Sequence, residues 1–280
     1  MIIGFEDKYS DEVKELLKSN PYYFSYGEKA EKSIVALESN KLIGIGSLWK
    51  NTMHPNREYI GIYISPDYRN KGIGGKMYDD LYASSPTKKL QTSISSKDTV
   101  AISFLSKFEF HLARKCYTPI LREALFDINS EPRGKITSFN GLTNQQKEEL
   151  LAIQMKIYRE FHKHINPLSE SISDQTWKDI VLDNIDEENS FLLLREEKIE
   201  AYILSYHGEN EKEIDIGYIG GKNLLQLDEY LPFYKRAVNK LLERFANVSI
   251  EADDVDPFAS AVLNLFPYDK SDSWDAYTID

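Results

Sequence analysis

The sequence predicts an α/β fold of mixed sheets, built as two tandem copies of one unit, and three observations predict it. Strand-like and helix-like patterns alternate through both halves of the chain. Ser190–Tyr206 lays over Ser33–Trp49 without a gap, apolar run on apolar run, with Lys198 and Lys41 shared in the turn. Glu213–Ile219 lays over Glu58–Ile64 in the same way, glutamate on glutamate at one end and Tyr218-Ile219 on Tyr63-Ile64 at the other. A chain of 280 residues suits two cores of roughly 140 residues each.

In the first copy Ile2–Phe5 reads as a strand, and Val13, Leu16 and Leu17 mark the apolar face of a helix ended by Asn20-Pro21. Ser33–Leu37 and Leu42–Trp49 are rich in β-formers and flank the turn-like Glu38-Ser39-Asn40-Lys41, which predicts a hairpin; Glu58–Ile64 extends it to a meander. Beyond a glycine-rich stretch, Gly74, Met77, Tyr78, Leu81 and Tyr82 recur at helical spacing, and Leu90–Ile94 is strand-like. Ala101, Phe104, Leu105 and Phe108 mark another helix, and Phe110–Leu121 supplies the last strands of this half. Asp127–Gly134 reads as a linker, so the expected domains are residues 1–128 and 135–280. The second copy repeats the order. Its helical patterns are Leu150, Ile153, Ile157, Tyr158 and Phe161 upstream of the hairpin, and Tyr234, Val238, Leu241, Leu242 and Phe245 downstream. Each copy is thus expected to be a mainly antiparallel twisted sheet flanked by helices.

Composition bounds the function. Hydrophobic residues at 41% beside 28% charged ones describe a chain that folds and stays in water. No run approaches the roughly 18 apolar residues of a membrane span, and acidic Glu6-Asp7 stands where a signal peptide would be basic. No membrane partner is expected, and the cytoplasm is the expected compartment. The single cysteine, Cys116, forms no internal disulfide and supports no cysteine-based metal cluster; it reads as a buried, inert thiol. Residues 1–135 hold 20 Lys and Arg against 17 Asp and Glu, leaving +3, whereas residues 136–280 hold the other 14 against 28, leaving −14. So acidic a chain repels a phosphate backbone and excludes nucleic acid as a partner, while its mildly basic half still receives a small polyphosphate. The acidic half prompts a further expectation, that it completes a pocket for a positively charged amine.

One segment carries chemistry. Strand Ile60–Ile64 is followed by Ser65-Pro66-Asp67-Tyr68, then by Arg69-Asn70-Lys71-Gly72-Ile73-Gly74-Gly75-Lys76, then by an amphipathic helix. A helix start leaves about four backbone N–H groups unpaired and carries partial positive charge, so it grips a pyrophosphate if nothing blocks the approach. Gly72, Gly74 and Gly75 remove side chains there, and Arg69 and Lys71 add charge. A glycine-rich turn with two solvated basic residues is the plain alternative. The spacing is not that of a dinucleotide fingerprint, because Met77 stands where its last glycine belongs, and no Gly-Lys-Ser/Thr of a nucleotide loop is present.

Tyr68-Arg69-Asn70-Lys71-Gly72-Ile73-Gly74 resembles the R/Q-x-x-G-x-G/A signature of the GCN5-related N-acetyltransferase family, and the element order over about residues 1–122 resembles that fold, with a degenerate second copy in tandem. The resemblance implies acetyl-CoA as co-substrate, with no metal. It implies that the strand before the signature splays from its neighbour at a bulge and receives pantetheine along Ile62, Tyr63 and Ile64. The pyrophosphate then lies on Arg69, Asn70, Lys71, Gly72, Ile73, Gly74 and Gly75. Ala101, Phe104, Lys107 and Phe110 resemble the family's N-x-x-A-x-x-F-Y-x-K-x-G-F segment, with Asp98 at the asparagine and Leu105 at the tyrosine that usually serves as acid. Glu109 replaces the glycine.

Acetylating an amine requires a neutral nitrogen and a means of protonating the departing thiolate. Glu58, six residues before Ile64, is the candidate base; an exposed glutamate at a strand start is the alternative. Leu105 donates no proton, which leaves water, Tyr63 or Tyr117. His162-x-His164 and Asp253-Asp254-x-Asp256 lack the further ligands of a metal site. In the second copy Gly220-Gly221-Lys222-Asn223-Leu224 has neither the arginine nor the G-x-G, and CoA binding is not expected there. The acceptor is expected to be a small-molecule or peptide amine, recognised by loops such as Pro21–Glu28 and Lys50–Arg57. The sequence says nothing of oligomeric state. The rival function is a non-catalytic acyl-CoA-binding or interaction protein.

Overall fold

A computed structural model describes residues 1–124 and 131–280, and the expected linker Asp127–Gly134 lies partly outside the described residues. The first half gives β1 (Ile2–Gly4), α1 (Ser10–Leu17), β2 (Lys32–Glu38), β3 (Lys41–Trp49), β4 (Glu58–Ile64), α2 (Ile73–Ser84), β5 (Leu90–Ser95), α3 (Thr99–Ser106), β6 (His111–Tyr117) and β7 (Ile120–Leu121). The second gives β8 (Lys135–Ser138), α4 (Asn144–His162), α5 (Asp174–Leu182), β9 (Phe191–Arg195), β10 (Lys198–His207), β11 (Glu213–Gly221), α6 (Leu227–Arg244), β12 (Asn247–Ile250), β13 (Ala252–Asp253), α7 (Pro257–Leu263) and β14 (Trp274–Ile279).

The duplication read from the sequence reappears in backbone detail. Both hairpins turn through two consecutive residues with left-handed φ, Ser39 and Asn40 in one and Glu196 and Glu197 in the other, at the aligned positions. Two left-handed central residues match the twist of the flanking strands, and both turns close on the shared lysine. The next strand, β4 or β11, adds antiparallel to each hairpin, and the strand after it, β5 or β12, adds parallel. A parallel neighbour requires a crossover, and α2 and α6 supply it.

Sheet membership crosses the expected boundary between 128 and 135. The eight-stranded sheet runs β1-β2-β3-β4-β5-β14-β6-β13, and the six-stranded sheet runs β7-β12-β11-β10-β9-β8. The halves exchange strands: from the second half β14 pairs with β5 and β6 on its two sides and the short β13 pairs with β6, and from the first half β7 pairs with β12. The physical reason is local. After β6 the chain turns at Thr118-Pro119 and leaves the first sheet, so the gap between β5 and β6 is filled by residues 274–279.

The first sheet is covered on both faces. Ile34, Ile43 and Ile60 pack with Met77 and Leu81 of α2 and with Tyr277 of β14, while Val35, Ile45 and Tyr63 pack with Val13 of α1. The second sheet has one continuous core in which Trp177, Tyr202, Tyr230, Phe233, Tyr234 and Phe258 are almost fully buried. Its first long helix, α4, begins with a capping box in which Thr143 and Gln146 satisfy each other's backbone N–H groups.

Candidate active site

The site starts where two parallel strands part. β4 and β5 pair only at Glu58–Leu90 and Tyr59–Gln91. Both strands continue, β4 to Ile64 and β5 to Ser95, but they diverge. A cavity of about 430 Å³ occupies the opening, lined by Ile60, Gly61 and Ile62 from one strand and by Thr92, Ser93 and Ile94 from the other. Its wall on the α2–α3 side includes Tyr78, Ala101, Phe104 and Leu105; on the opposite side stand Tyr22, Phe24, Trp49, Tyr59 and Trp274. The cavity therefore passes through the sheet. No bulge is needed to open it: the β3–β4 ladder runs in unbroken register from Trp49–Tyr59 to Gly44–Ile64. The expected bulge appears instead in the second copy, where β10–β11 pairing skips Gly217.

Beyond β4 lies the start of α2. Its N-cap, Gly72, has φ +76°, a conformation that favours glycine, and a Cβ built there meets nothing within 4 Å. No side chain caps this helix, so the first-turn N–H groups are left to solvent or a ligand. Gly74 has a different reason: its Cβ would stand 3.1 Å from the Phe104 ring, so this glycine lets α3 approach α2. Asn70 also adopts left-handed φ, +60°. Arg69 donates from Nε to the Ile64 carbonyl at 2.9 Å, and its guanidinium lies 5.6 Å from the Tyr63 ring centroid. Lys71 stands over the Tyr68 ring, 5.0 Å from its centroid.

The expected coenzyme residues are thus gathered at one strand end and one helix start, but three candidates have other work. Tyr63 exchanges a hydrogen bond with Ser19 at 2.7 Å and is not in the cavity lining. Asp98 caps α3 by accepting from the Ala101 N–H, and it also accepts from the Tyr22 hydroxyl at 2.7 Å. Glu58 is not the exposed glutamate of the alternative reading, since it is 2% exposed, and it does not line the cavity either. Its carboxylate accepts from the Ser85 hydroxyl, in a very short contact, and from Thr87 at 3.4 Å. The alternation of β4 explains this: Glu58 shares a face with Ile60, Ile62 and Ile64, and α2 covers that face. Tyr117, considered as an acid, packs against Tyr268 and is also outside the lining.

Several lining residues had no signal of their own. Tyr22 lies in an expected recognition loop, yet only the fold brings it to Asp98 and to Trp274, whose ring centroid is 5.7 Å away. Trp274 reaches the cavity on the exchanged strand, and no local pattern announces that. Burial and the Asp98 hydrogen bond push the Tyr22 phenol up to about 12, and burial pushes Tyr78 up to about 12, so both keep their protons at neutral pH.

The second copy builds the corresponding segment differently. Asn223 accepts from the Leu225 N–H and caps a one-turn 3-10 helix, Leu224–Gln226, that leads into α6, whose own N-cap Gln226 has no side-chain cap; the Tyr234 hydroxyl donates to the Gly220 carbonyl at 2.9 Å. Cβ atoms at Gly220 and Gly221 would collide with Tyr202 and with Tyr230 and Phe258. These glycines admit aromatic rings where an anion would otherwise approach.

Residues 4–110 match the acetyltransferase (GNAT) family, so the first unit carries a GNAT acetyltransferase domain. Among solved structures the chain is similar to a GCN5-related N-acetyltransferase from Sphaerobacter thermophilus, at 12% identity and a TM-score of 0.58, over 96% of this chain and 85% of that one. It is similar to a tandem GNAT protein from the clavulanic acid biosynthesis pathway at 10% identity and 0.56, over 100% and 98%. A third is the GCN5-related glucosamine N-acetyltransferase region of a fungal multi-domain beta-N-acetylglucosaminidase, at 13% and 0.61, over 99% of this chain and 37% of that one. At such identities the likeness establishes the tandem fold. No curated protein matches the sequence. Among the described residues no helix is long and apolar enough to cross a membrane.

Proposed function

We propose that the first unit transfers the acetyl group of acetyl-CoA to a small-molecule or peptide amine. The observation that carries this reading is the parting of β4 and β5 after Tyr59 and Gln91, with a cavity in the opening and an uncapped helix start beyond it. The fit to the coenzyme is chemical. The α2 N–H groups and Arg69, with Asn70, Lys71, Gly72, Ile73, Gly74 and Gly75, take the diphosphate. The backbone edge of Ile62, Tyr63 and Ile64, unpaired with β5, takes the pantetheine amides, and Asp98 keeps α3 and Tyr22 in place beside it.

The acceptor enters through the aromatic wall of Tyr22, Phe24, Trp49, Tyr59 and Trp274. No Asp, Glu, Lys, Arg or His lines this cavity, and an apolar enclosure disfavours an ammonium ion. The amine therefore reacts in the neutral form, having left its proton in water, at about 1.4 kcal/mol for each unit its pKa falls. Its nitrogen attacks the thioester carbonyl carbon and forms the C–N bond, the C–S bond breaks, and the proton the nitrogen loses reaches the departing thiolate through water, directly or relayed by the phenol of Tyr22 or Tyr78, which gives one proton and regains another. In this scheme Glu58 supports the β4–α2 packing, and the sequence-based assignment of it as base is withdrawn because its carboxylate is turned to Ser85.

Calorimetric titration of the whole chain with acetyl-CoA tests the binding step, with Arg69→Ala expected to weaken it. Turnover over a panel of polyamines, aminoglycosides, amino acids and peptides tests the chemistry. Leu105 in place of the usual acid favours a second reading, acyl-CoA binding without catalysis; CoA binding with no release of free thiol on any acceptor would establish it.

A further inference from the structure

The second sheet repeats the parting of strands, and its opening has a different character. β11 and β12 pair from Glu213–Asn247 to Ile216–Ile250 and then separate. A cavity of about 330 Å³ lies beyond, between Gly217, Tyr218 and Ile219 on one side and Glu251 and Asp253 on the other. The first half of the chain contributes to it as well, with His54 from the loop after β3 and Arg114 from β6.

Its walls are rich in hydrogen-bond acceptors. Gln154 of α4 is 1% exposed, lines the cavity, and its Oε1 has no hydrogen-bond partner among the described residues. A buried carbonyl oxygen in that state lacks a donor. Three carboxylates, Glu251, Asp253 and Asp256, face a single guanidinium. Asp253 meets Arg114 and His162 through Oδ2, while its Oδ1 is buried without a partner among the described residues. Burial pushes its carboxyl up, but those two partners outweigh burial and hold it below the usual range. The imbalance falls on the others. Asp256 uses Oδ1 to cap α7, accepting from the Phe258 and Ala259 N–H groups, and among the described residues the side chain of Glu251 meets only the Cys116 thiol, 3.7 Å away. Of the histidines, His54 is held toward its neutral form, mainly by burial. Arg114 Nε is also buried without an acceptor, but among the described residues neither Glu251 nor Asp256 forms an ion pair, so the carboxylates exceed the cations that meet them.

We propose that this cavity binds a small hydrophilic molecule through an ammonium group, with Glu251 and Asp256 as its counter-charges and Gln154 Oε1 accepting one of its hydrogens. The molecule is a primary amine small enough for about 330 Å³. The site is separate from the coenzyme cavity, and the inference does not rest on acetyl transfer by the first unit. The second copy has kept the parted strands while exchanging an anion-binding helix start for a cation-binding mouth.

The test is calorimetric and thermal-shift titration of the full chain with 1,4-diaminobutane, ethanolamine and glycinamide, with succinate as the anionic control. At least one amine should bind saturably and raise Tm, and succinate should do neither. Glu251→Gln and Asp256→Asn preserve shape, and Asn preserves the α7 cap; each should weaken the amine about tenfold or more through loss of a charge-assisted bond. Acetyl-CoA titration of the same variants should be unchanged, which separates this site from the coenzyme cavity, and Arg69→Ala should leave amine binding unchanged. No saturable binding of any of the three amines at millimolar concentration overturns the proposal. Binding that survives the double substitution in a folded variant overturns it equally.

Discussion

Replacing Gly72 with asparagine separates the role of this residue in the fold from its role toward a ligand. The position has φ +76°, where a non-glycine residue costs roughly 1–2 kcal/mol and asparagine least of all. Two residues earlier Asn70 already adopts φ +60°. No atom lies within 4 Å of the new Cβ, so no packing term adds to the backbone cost, and Tm should fall by only a few degrees. Toward acetyl-CoA the expectation differs. The side chain stands at an uncapped helix start and bonds the N–H of the second or third residue, as N-cap asparagines do. It thereby removes at least one charge-assisted bond from the diphosphate, worth about 1.5–3 kcal/mol, or roughly tenfold to a hundredfold in Kd. The assay is calorimetry with acetyl-CoA beside thermal melting of the same preparation. A variant that melts within a few degrees of the parent and binds acetyl-CoA equally well would refute the placement of the diphosphate on α2.

Four further outcomes follow from particular contacts. Asp256 is pushed up by burial to about 6 from an ordinary 3.8, so folding favours its protonated form; the associated stability is present below pH 4 and lost as pH rises through 6. Asp256→Asn should therefore be more stable than the parent by about 3 kcal/mol at pH 7.5 and equal to it near pH 3.5, and parallel melts at the two pH values check this. Glu58→Gln retains a partner for Ser85 and should leave kcat within about twofold if Glu58 is not the base, against a loss of about a hundredfold or more if it is. With no Asp, Glu, Lys, Arg or His among the described residues of the cavity lining, and with the phenols of Tyr22 and Tyr78 pushed up to about 12, log kcat/KM should rise linearly with pH up to the pKa of the acceptor itself, and a break tied to the protein instead would restore a general base. Tyr277→Ala should cost about 3 kcal/mol from the core of the first sheet, and hydrogen exchange at β5 should accelerate although the substitution lies far downstream in sequence.

Much of this was legible in the residues. The paired hairpins were readable because both faces of a repeated pattern survive: apolar runs of equal length around a turn that ends on lysine. The helix start was readable because Gly72 and Arg69 answer to local geometry, left-handed backbone and a nearby strand end. Gly74 has a further reason that its local sequence does not show, close approach to Phe104. The burial of Glu58 was not legible, because spacing along a strand gives the distance from Ile64 but not the face, and α2 covers the face it occupies. The exchange of β7 and β14 had no local signature at all. Strand pairing partners are chosen by the whole topology, and a six-residue alternating segment is compatible with either sheet.

That exchange has a consequence for biosynthesis. When β6 leaves the ribosome the first sheet still lacks the strand that joins it to β5, and roughly 150 residues remain before β14 is made. At about 5–20 residues per second the edges of β5 and β6 stay bare for about 8–30 s, long enough for unwanted pairing between neighbouring nascent chains. Chaperone engagement is expected to concentrate on this window, and an amino-terminal fragment expressed by itself should collect in the insoluble fraction.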